Sequence, residues 1–171
     1  MSSIVPTPRI PSDGQRWCSL FAMWLVSTVL WGLVTPVFAA TPLGLWYAEG
    51  GAAQVEIRTC GDALCGRIVW LRSPLDDTGC ELRDRSNGEA SLRERPLLGL
   101  EILQGLKPAD VEGTVWTDGT IYDPTSGKTY TCNLKVEGNN RLHLRGYIGL
   151  PLLGRTTTWI RVGSENRQCR H

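Results

Sequence analysis

Turn-forming residues punctuate the chain from residue 43 to residue 162, and no stretch between them is long enough for a helix with an apolar stripe. Gly50-Gly51, Asp118-Gly119, Pro124-Thr125-Ser126-Gly127 and Gly138-Asn139-Asn140 are hairpin signals. The segments they separate, at residues 43–49, 52–59, 64–71, 97–103, 113–117, 120–123, 128–136, 141–148 and 153–162, read as eight or nine short strands. Alternation is cleanest late in the chain. Tyr130, Cys132, Leu134 and Val136 share one face, and Leu142, Leu144 and Ile148 oppose Arg141, His143, Arg145 and Tyr147. One wet face per strand, without a long helical pattern, predicts an all-β fold. Sequential hairpins favour a small antiparallel up-and-down barrel of about eight strands, because closure hides the sheet edges.

Residues 72–94 interrupt this rhythm with a long polar stretch holding Ser73-Pro74, Asp76-Asp77-Thr78-Gly79 and Ser86-Asn87-Gly88, all turn chemistry. Asn87 is placed to cap one helical turn running through Leu92 and ended by Pro96. Pro-Leu-Leu-Gly occurs twice, at 96–99 and 151–154, and reads as two strands entered through similar proline bends rather than as a duplication.

The first forty residues have a different composition. Residues 17–34 are 18 uncharged, largely apolar positions behind Arg9 and Arg16, and Val37 and Ala39 fit the small-residue pattern of a cleavage site. That order predicts a secretory signal peptide over residues 1–39, cut after Ala39. An uncleaved membrane anchor is the rival reading, since a span needs about 20 apolar residues. Ser19, Ser27, Thr28 and Gly32 weaken a permanent span. The expected organisation is then a signal peptide at 1–39, a barrel domain at 40–162 and a tail at 163–171, with the mature protein periplasmic or secreted. Removing Arg9, Arg16 and Asp13 from 18 basic and 17 acidic residues leaves 16 of each. A neutral domain has no basic face for counterion release, which excludes nucleic-acid binding through bulk electrostatics.

Five of the six cysteines follow Ala39. Outside the cytoplasm they are expected to oxidise. Cys60 and Cys65 flank Gly61-Asp62 in a hairpin, so a Cys60–Cys65 disulfide is the pairing the sequence favours. Cys132 has the parity of a small buried hydrophobe, and Cys80 could pair with Cys169. No C-x-x-C pair is present to suggest zinc.

Gly44-Leu45-Trp46 at the start and Trp159-Ile160-Arg161 at the end together resemble the calycin superfamily. In those barrels a first-strand Trp closes the bottom and a late Arg lies across it. Gly44, Trp46, Trp159 and Arg161 are therefore the expected closing residues, and a guanidinium over an indole is physically favourable. More specifically, the chain resembles the bacterial DUF2147 family. The matching segments include Leu64-Cys65-Gly66-Arg67-Ile68-Val69-Trp70-Leu71, Arg95-Pro96-Leu97-Leu98-Gly99-Leu100 and Leu144-Arg145-Gly146-Tyr147-Ile148-Gly149. Gly119-Thr120-Ile121-Tyr122-Asp123-Pro124-Thr125-Ser126-Gly127-Lys128-Thr129-Tyr130 and Leu153-Gly154-Arg155-Thr156 complete the set. The resemblance implies a lipocalin-like barrel in the cell envelope with no established activity.

Catalytic chemistry is not expected. Gly127-Lys128-Thr129 lacks the glycine and the following helix of a phosphate loop. His143 has no partner nominated by the sequence, and no nucleophile elbow or metal-spaced His pair occurs. Asp76, Asp77 and Glu81 lack the ordered ligand series of a calcium loop. No cofactor or metal is expected, and contact with a membrane only through the leader. The distinctive cluster is Arg67, Trp70, Tyr122, Arg145, Tyr147 and Arg155. If Arg145, Tyr147 and Arg155 point inward, the lumen suits a small hydrophobic, amphipathic or anionic ligand. A filled barrel acting as a protein-interaction module through loop 72–94 is the alternative. A cavity of several hundred cubic ångström would favour the first and an apolar exposed loop tip the second.

Overall fold

Apolar residues on a two-residue period, broken by glycine turns, give eight antiparallel strands: β1 (Gly44–Tyr47), β2 (Ala53–Cys60), β3 (Ala63–Leu71), β4 (Glu101–Pro108), β5 (Val115–Asp123), β6 (Lys128–Glu137), β7 (Arg141–Tyr147) and β8 (Arg155–Arg161). The computed structural model describes residues 40–163, so the expected signal peptide and all but the first residue of the expected tail lie outside the described residues. Each strand pairs with its sequence neighbours, and β1 also pairs with β8, which closes the barrel. The closing seam is short, with Trp46 opposite Arg161 and Tyr47 opposite Ile160.

Several strand boundaries differ from the sequence expectation, most of all in β5 and β4; β1 is also shorter, and β8 starts at Arg155 rather than Leu153, after a 3-10 turn over Pro151–Leu153. Asp118-Gly119 is not a hairpin turn. Asp118 takes a φ of 59° and the pairing of β5 with β6 shifts between Trp116 and Gly119, a bulge inside one continuous strand. A bulge of this kind and a primed hairpin turn both take a residue at positive φ, so the dipeptide alone does not separate them. The segment expected as a strand at 97–103 is a turn through Leu100, whose amide donates to the Leu97 carbonyl at 3.1 Å. The strand itself starts at Glu101.

Register and burial define the inward row. Val55, Ile57, Leu64, Ile68, Leu103, Leu106, Cys132, Leu134, Val136, Leu142, Leu144 and Trp159 are all buried. A Cβ on Gly119 would overlap Leu106 Cγ, and one on Gly66 would lie 2.9 Å from Leu103 Cδ1. Neighbouring leucines thus occupy the space above both glycines, and this half of the barrel is packed solid. Burial pushes the Cys132 thiol up to about 12, so it stays protonated and acts as a small apolar filler.

The β2–β3 hairpin is stapled by the Cys60–Cys65 disulfide. The loop it closes is short, so the entropic gain is modest, about 2 kcal/mol. Reducing it in the folded protein is expected to lower the urea midpoint without changing the slope of the transition. An unchanged midpoint would mean that the hairpin holds its shape through Gly61 and strand pairing alone.

Candidate functional site

The connections alternate between two ends of the barrel. At one end lie the β2–β3, β4–β5 and β6–β7 turns together with the entry to β1 and the exit from β8. Trp46 is fully buried there, and its Nε1 donates to the Pro42 carbonyl at 2.7 Å. The Arg161 guanidinium lies over the indole, Cζ to centroid 4.1 Å. It donates to the carbonyls of Leu43 at 2.8 Å, Asn139 at 2.6 Å and Thr41 at 2.5 Å. Gly44 has a φ of 114° and a Cβ there would stand 3.0 Å from Arg161 Nη1, so only glycine lets the cation settle. With Trp159 buried on the neighbouring strand, this end is closed. Beside it, Pro42, Leu43, Leu64 and Trp116 line an apolar depression of about 250 Å³, below the usual range for ligand pockets.

The opposite end is open. Along the inward row from Leu142 and Trp159 toward the β7–β8 connection, burial gives way to exposure. Leu144 is buried, Thr157 half-buried, Gly146 half-buried and Arg155 exposed. The same change occurs on β5 and β6, where buried Gly119 and Cys132 give way to half-buried Ile121 and Tyr130, and then to exposed Lys128. A Cβ on Gly146 would be 3.6 Å from Ile121 Cγ2 and 3.7 Å from Tyr130 Cβ, which brings these three positions to one wall of the opening. Exposure alone marks this end as the cup of the barrel, with Ile121, Tyr130 and Thr157 on the inward row and Lys128 and the Arg155–Glu49 ion pair at the rim.

The six residues singled out from the sequence do not form one site. Register puts Arg67 opposite Glu56, with Nε to Oε2 at 3.0 Å, on the outer wall. Trp70 pairs with Gln54 on the same wall and meets Tyr47 edge-on, centroids 6.1 Å apart. Arg145 and Tyr147 lie in the outer rows opposite Asn133 and Thr131, so neither points into the lumen; one residue of parity separates them from Leu144 and Gly146. Tyr122, opposite Thr129, also has outer parity. Of the six, only Arg155 has inward parity, and its Nη2 donates to Glu49 Oε2 at 2.7 Å on the turn between β1 and β2. Tyr130, Thr157, Ile121 and Lys128 carry the cup instead. The parity of Tyr130 with Cys132 was a usable signal. Thr157, in the run Thr156-Thr157-Thr158, gave none, because three identical side chains show no period.

With the geometry in place, the comparisons decide the family. A family model described as "uncharacterized protein conserved in bacteria", DUF2147, matches residues 44–161, the whole barrel. The chain belongs to this family. A solved structure, described as protein HP1028 from the human pathogen Helicobacter pylori and assigned to the lipocalin family, is similar with a TM-score of 0.62 and 21% identity. That likeness covers 75% of this chain and 88% of the other, and it shows a shared lipocalin-like fold. No curated protein matches.

In this DUF2147 chain the family segments do identifiable structural work. The Tyr122 hydroxyl donates to Asp84 Oδ1 at 2.6 Å, Asn87 Nδ2 to Asp84 Oδ2 at 2.8 Å, and Arg95 Nη2 reaches the same Oδ2 at 2.7 Å. Asp84 is completely buried. Burial alone would raise its pKa, but hydrogen bonds from Tyr122, Asn87 and Arg95 outweigh it and hold the carboxyl below the usual range. Burial and the Asp84 carboxylate raise Tyr122. Gly127, at φ 68°, lies so close to the loop that a Cβ would overlap the Ser86 carbonyl. Together these contacts clamp the loop between β3 and β4 onto the β5–β6 turn. Within that loop a short 3-10 turn covers Ala90–Leu92, and Asn87 Oδ1 accepts the Glu89 amide just before it. Asp76 accepts from Thr78 and Cys80 within its own turn. His143 lies 3.0 Å from Glu137 and 3.2 Å from Thr158, but on the outer wall rather than in a pocket.

Proposed function

We propose that this protein binds one small amphipathic or anionic molecule in the open half of its barrel. The apolar part would lie against Ile121 and Tyr130, with the charged end toward Arg155 and Lys128. The observation that supports this reading is the break in exposure along the inward row, from buried Trp159 and Leu144 to half-buried Thr157 and exposed Arg155. The Cys60–Cys65 disulfide and the apolar leader at 17–34 support the further reading that the protein works outside the cytoplasm, after cleavage near Ala39. Nothing in this reading calls for catalysis or a cofactor.

Native mass spectrometry of the protein with palmitate as the probe tests it. One adduct per chain is expected. Thr157→Trp, which places an indole in the cup, should abolish the adduct, and Arg155→Ala should weaken it about five-fold, a charge-assisted contact discounted for exposure. Arg67→Ala, on the outer wall, should leave it intact. A wild-type spectrum without the adduct, or an adduct that survives Thr157→Trp, overturns the reading.

A filled barrel used as an interaction module is the second reading, and the exposed apolar tip that favours it lies between β7 and β8 rather than in loop 72–94.

A further inference from the structure

The connection between β7 and β8 runs from Ile148 to Gly154 without a polar side chain. Ile148, Leu150, Leu152 and Leu153 are 68%, 66%, 85% and 79% exposed. Isolated exposed leucines are ordinary, but four on one short loop are a patch that water disfavours.

The loop is built rather than slack. Arg145, reaching over from the outer wall, donates from Nε to the Pro151 carbonyl at 2.8 Å and from Nη2 to the Leu152 carbonyl at 3.2 Å. Its Nη1 is fixed on Thr156 Oγ1 at 2.9 Å. The Leu153 amide donates to the Leu150 carbonyl at 3.1 Å, and the Gly154 amide to Pro151 at 3.1 Å. Three successive carbonyls at the tip, those of Leu150, Pro151 and Leu152, thus have donors from within the protein.

We propose that this loop inserts its leucines into the surface of a lipid bilayer and holds the mouth of the barrel against the headgroups. Apolar exposure alone would suit any partner. Internal satisfaction of the tip's backbone acceptors suits acyl chains, which offer no hydrogen bonds in return. Lys128, exposed at the same end, favours anionic headgroups. The inference does not depend on ligand binding in the cup.

Hydrogen exchange of the full chain, read peptide by peptide, tests it without relying on any other membrane-seeking segment. Vesicles of phosphatidylethanolamine and phosphatidylglycerol are the probe. Amides of residues 148–154 should become protected when vesicles are added, while the 109–114 turn at the closed end, with its 98% exposed Val111, should not. The double variant Leu152→Ser, Leu153→Ser should lose the protection, and high salt should reduce it. These side chains are exposed, so the variant should fold normally. Thr157→Trp should abolish the palmitate adduct yet leave loop protection unchanged, which separates this proposal from the preceding one. Absence of loop protection overturns the proposal, whether or not vesicles bind elsewhere. So does protection that rises with protein concentration in the absence of lipid, which would assign the loop to a second copy of the chain.

Discussion

Replacing Trp46 with alanine is expected to destabilise the barrel by about 4 kcal/mol. The indole is completely buried, so its removal opens a cavity at the closed end. It also takes the aromatic face from under the Arg161 guanidinium and the donor from the Pro42 carbonyl. Trp46→Phe keeps a ring beneath the cation and should recover most of the loss, with a residue of about 1 kcal/mol for the missing hydrogen bond. Urea unfolding monitored by circular dichroism distinguishes the two variants. If Trp46→Ala unfolds within 1 kcal/mol of wild type on the scale of ordinary surface changes, the closed end is not what holds β1 to β8.

Asp84→Ala should cost about 3 kcal/mol, toward the lower end for a broken buried pair because Arg95 is partly exposed. It leaves the Tyr122 hydroxyl and the Asn87 amide without their acceptor and frees the loop between β3 and β4 from the barrel. The pH dependence has a definite sign. A carboxyl whose folded pKa is depressed contributes its full stability above its unfolded value, which is 3.8 here, and loses it as pH falls through the folded value. Stability should therefore decline on acidification below about pH 4, the usual carboxyl range. Asp76, Asp110 and Glu137, also depressed, add to the same limb: Asp76 chiefly through Thr78, Asp110 through Thr114 and Glu137 through His143. Asp84→Asn should make this acid limb shallower. Equal acid slopes for Asp84→Asn and wild type would show that the buried carboxylate does not govern the acid limb.

Much of the fold was legible because strand parity is a local property. Tyr130, Cys132, Leu134 and Val136 stand on one face in the sequence and on the inward row in the barrel. The Gly44-Leu45-Trp46 and Trp159-Ile160-Arg161 pair forecast a contact across more than a hundred residues only through resemblance, since no local rule brings the first strand to the last. Asp118-Gly119 was misleading because a bulge and a turn share one backbone requirement. The candidate site was less legible. Arg145 and Tyr122 stood out as members of a ligand cluster, yet they hold two loops: Arg145 that between β7 and β8, and Tyr122, together with Arg95, that between β3 and β4. Whether an arginine serves a ligand or a carbonyl depends on what folds back over it, and sequence spacing does not carry that information.

The seam between β1 and β8 has a mechanical consequence. Residues 40 and 163 both leave at the closed end, beside a seam of two paired positions. Because the two strands are antiparallel neighbours, a pull applied through the chain ends would peel them apart from that end. Their hydrogen bonds would load one after another rather than together in shear. The first of them stand beside Trp46 and Arg161, so the stacked cation bears the load at the start of unzipping under tension.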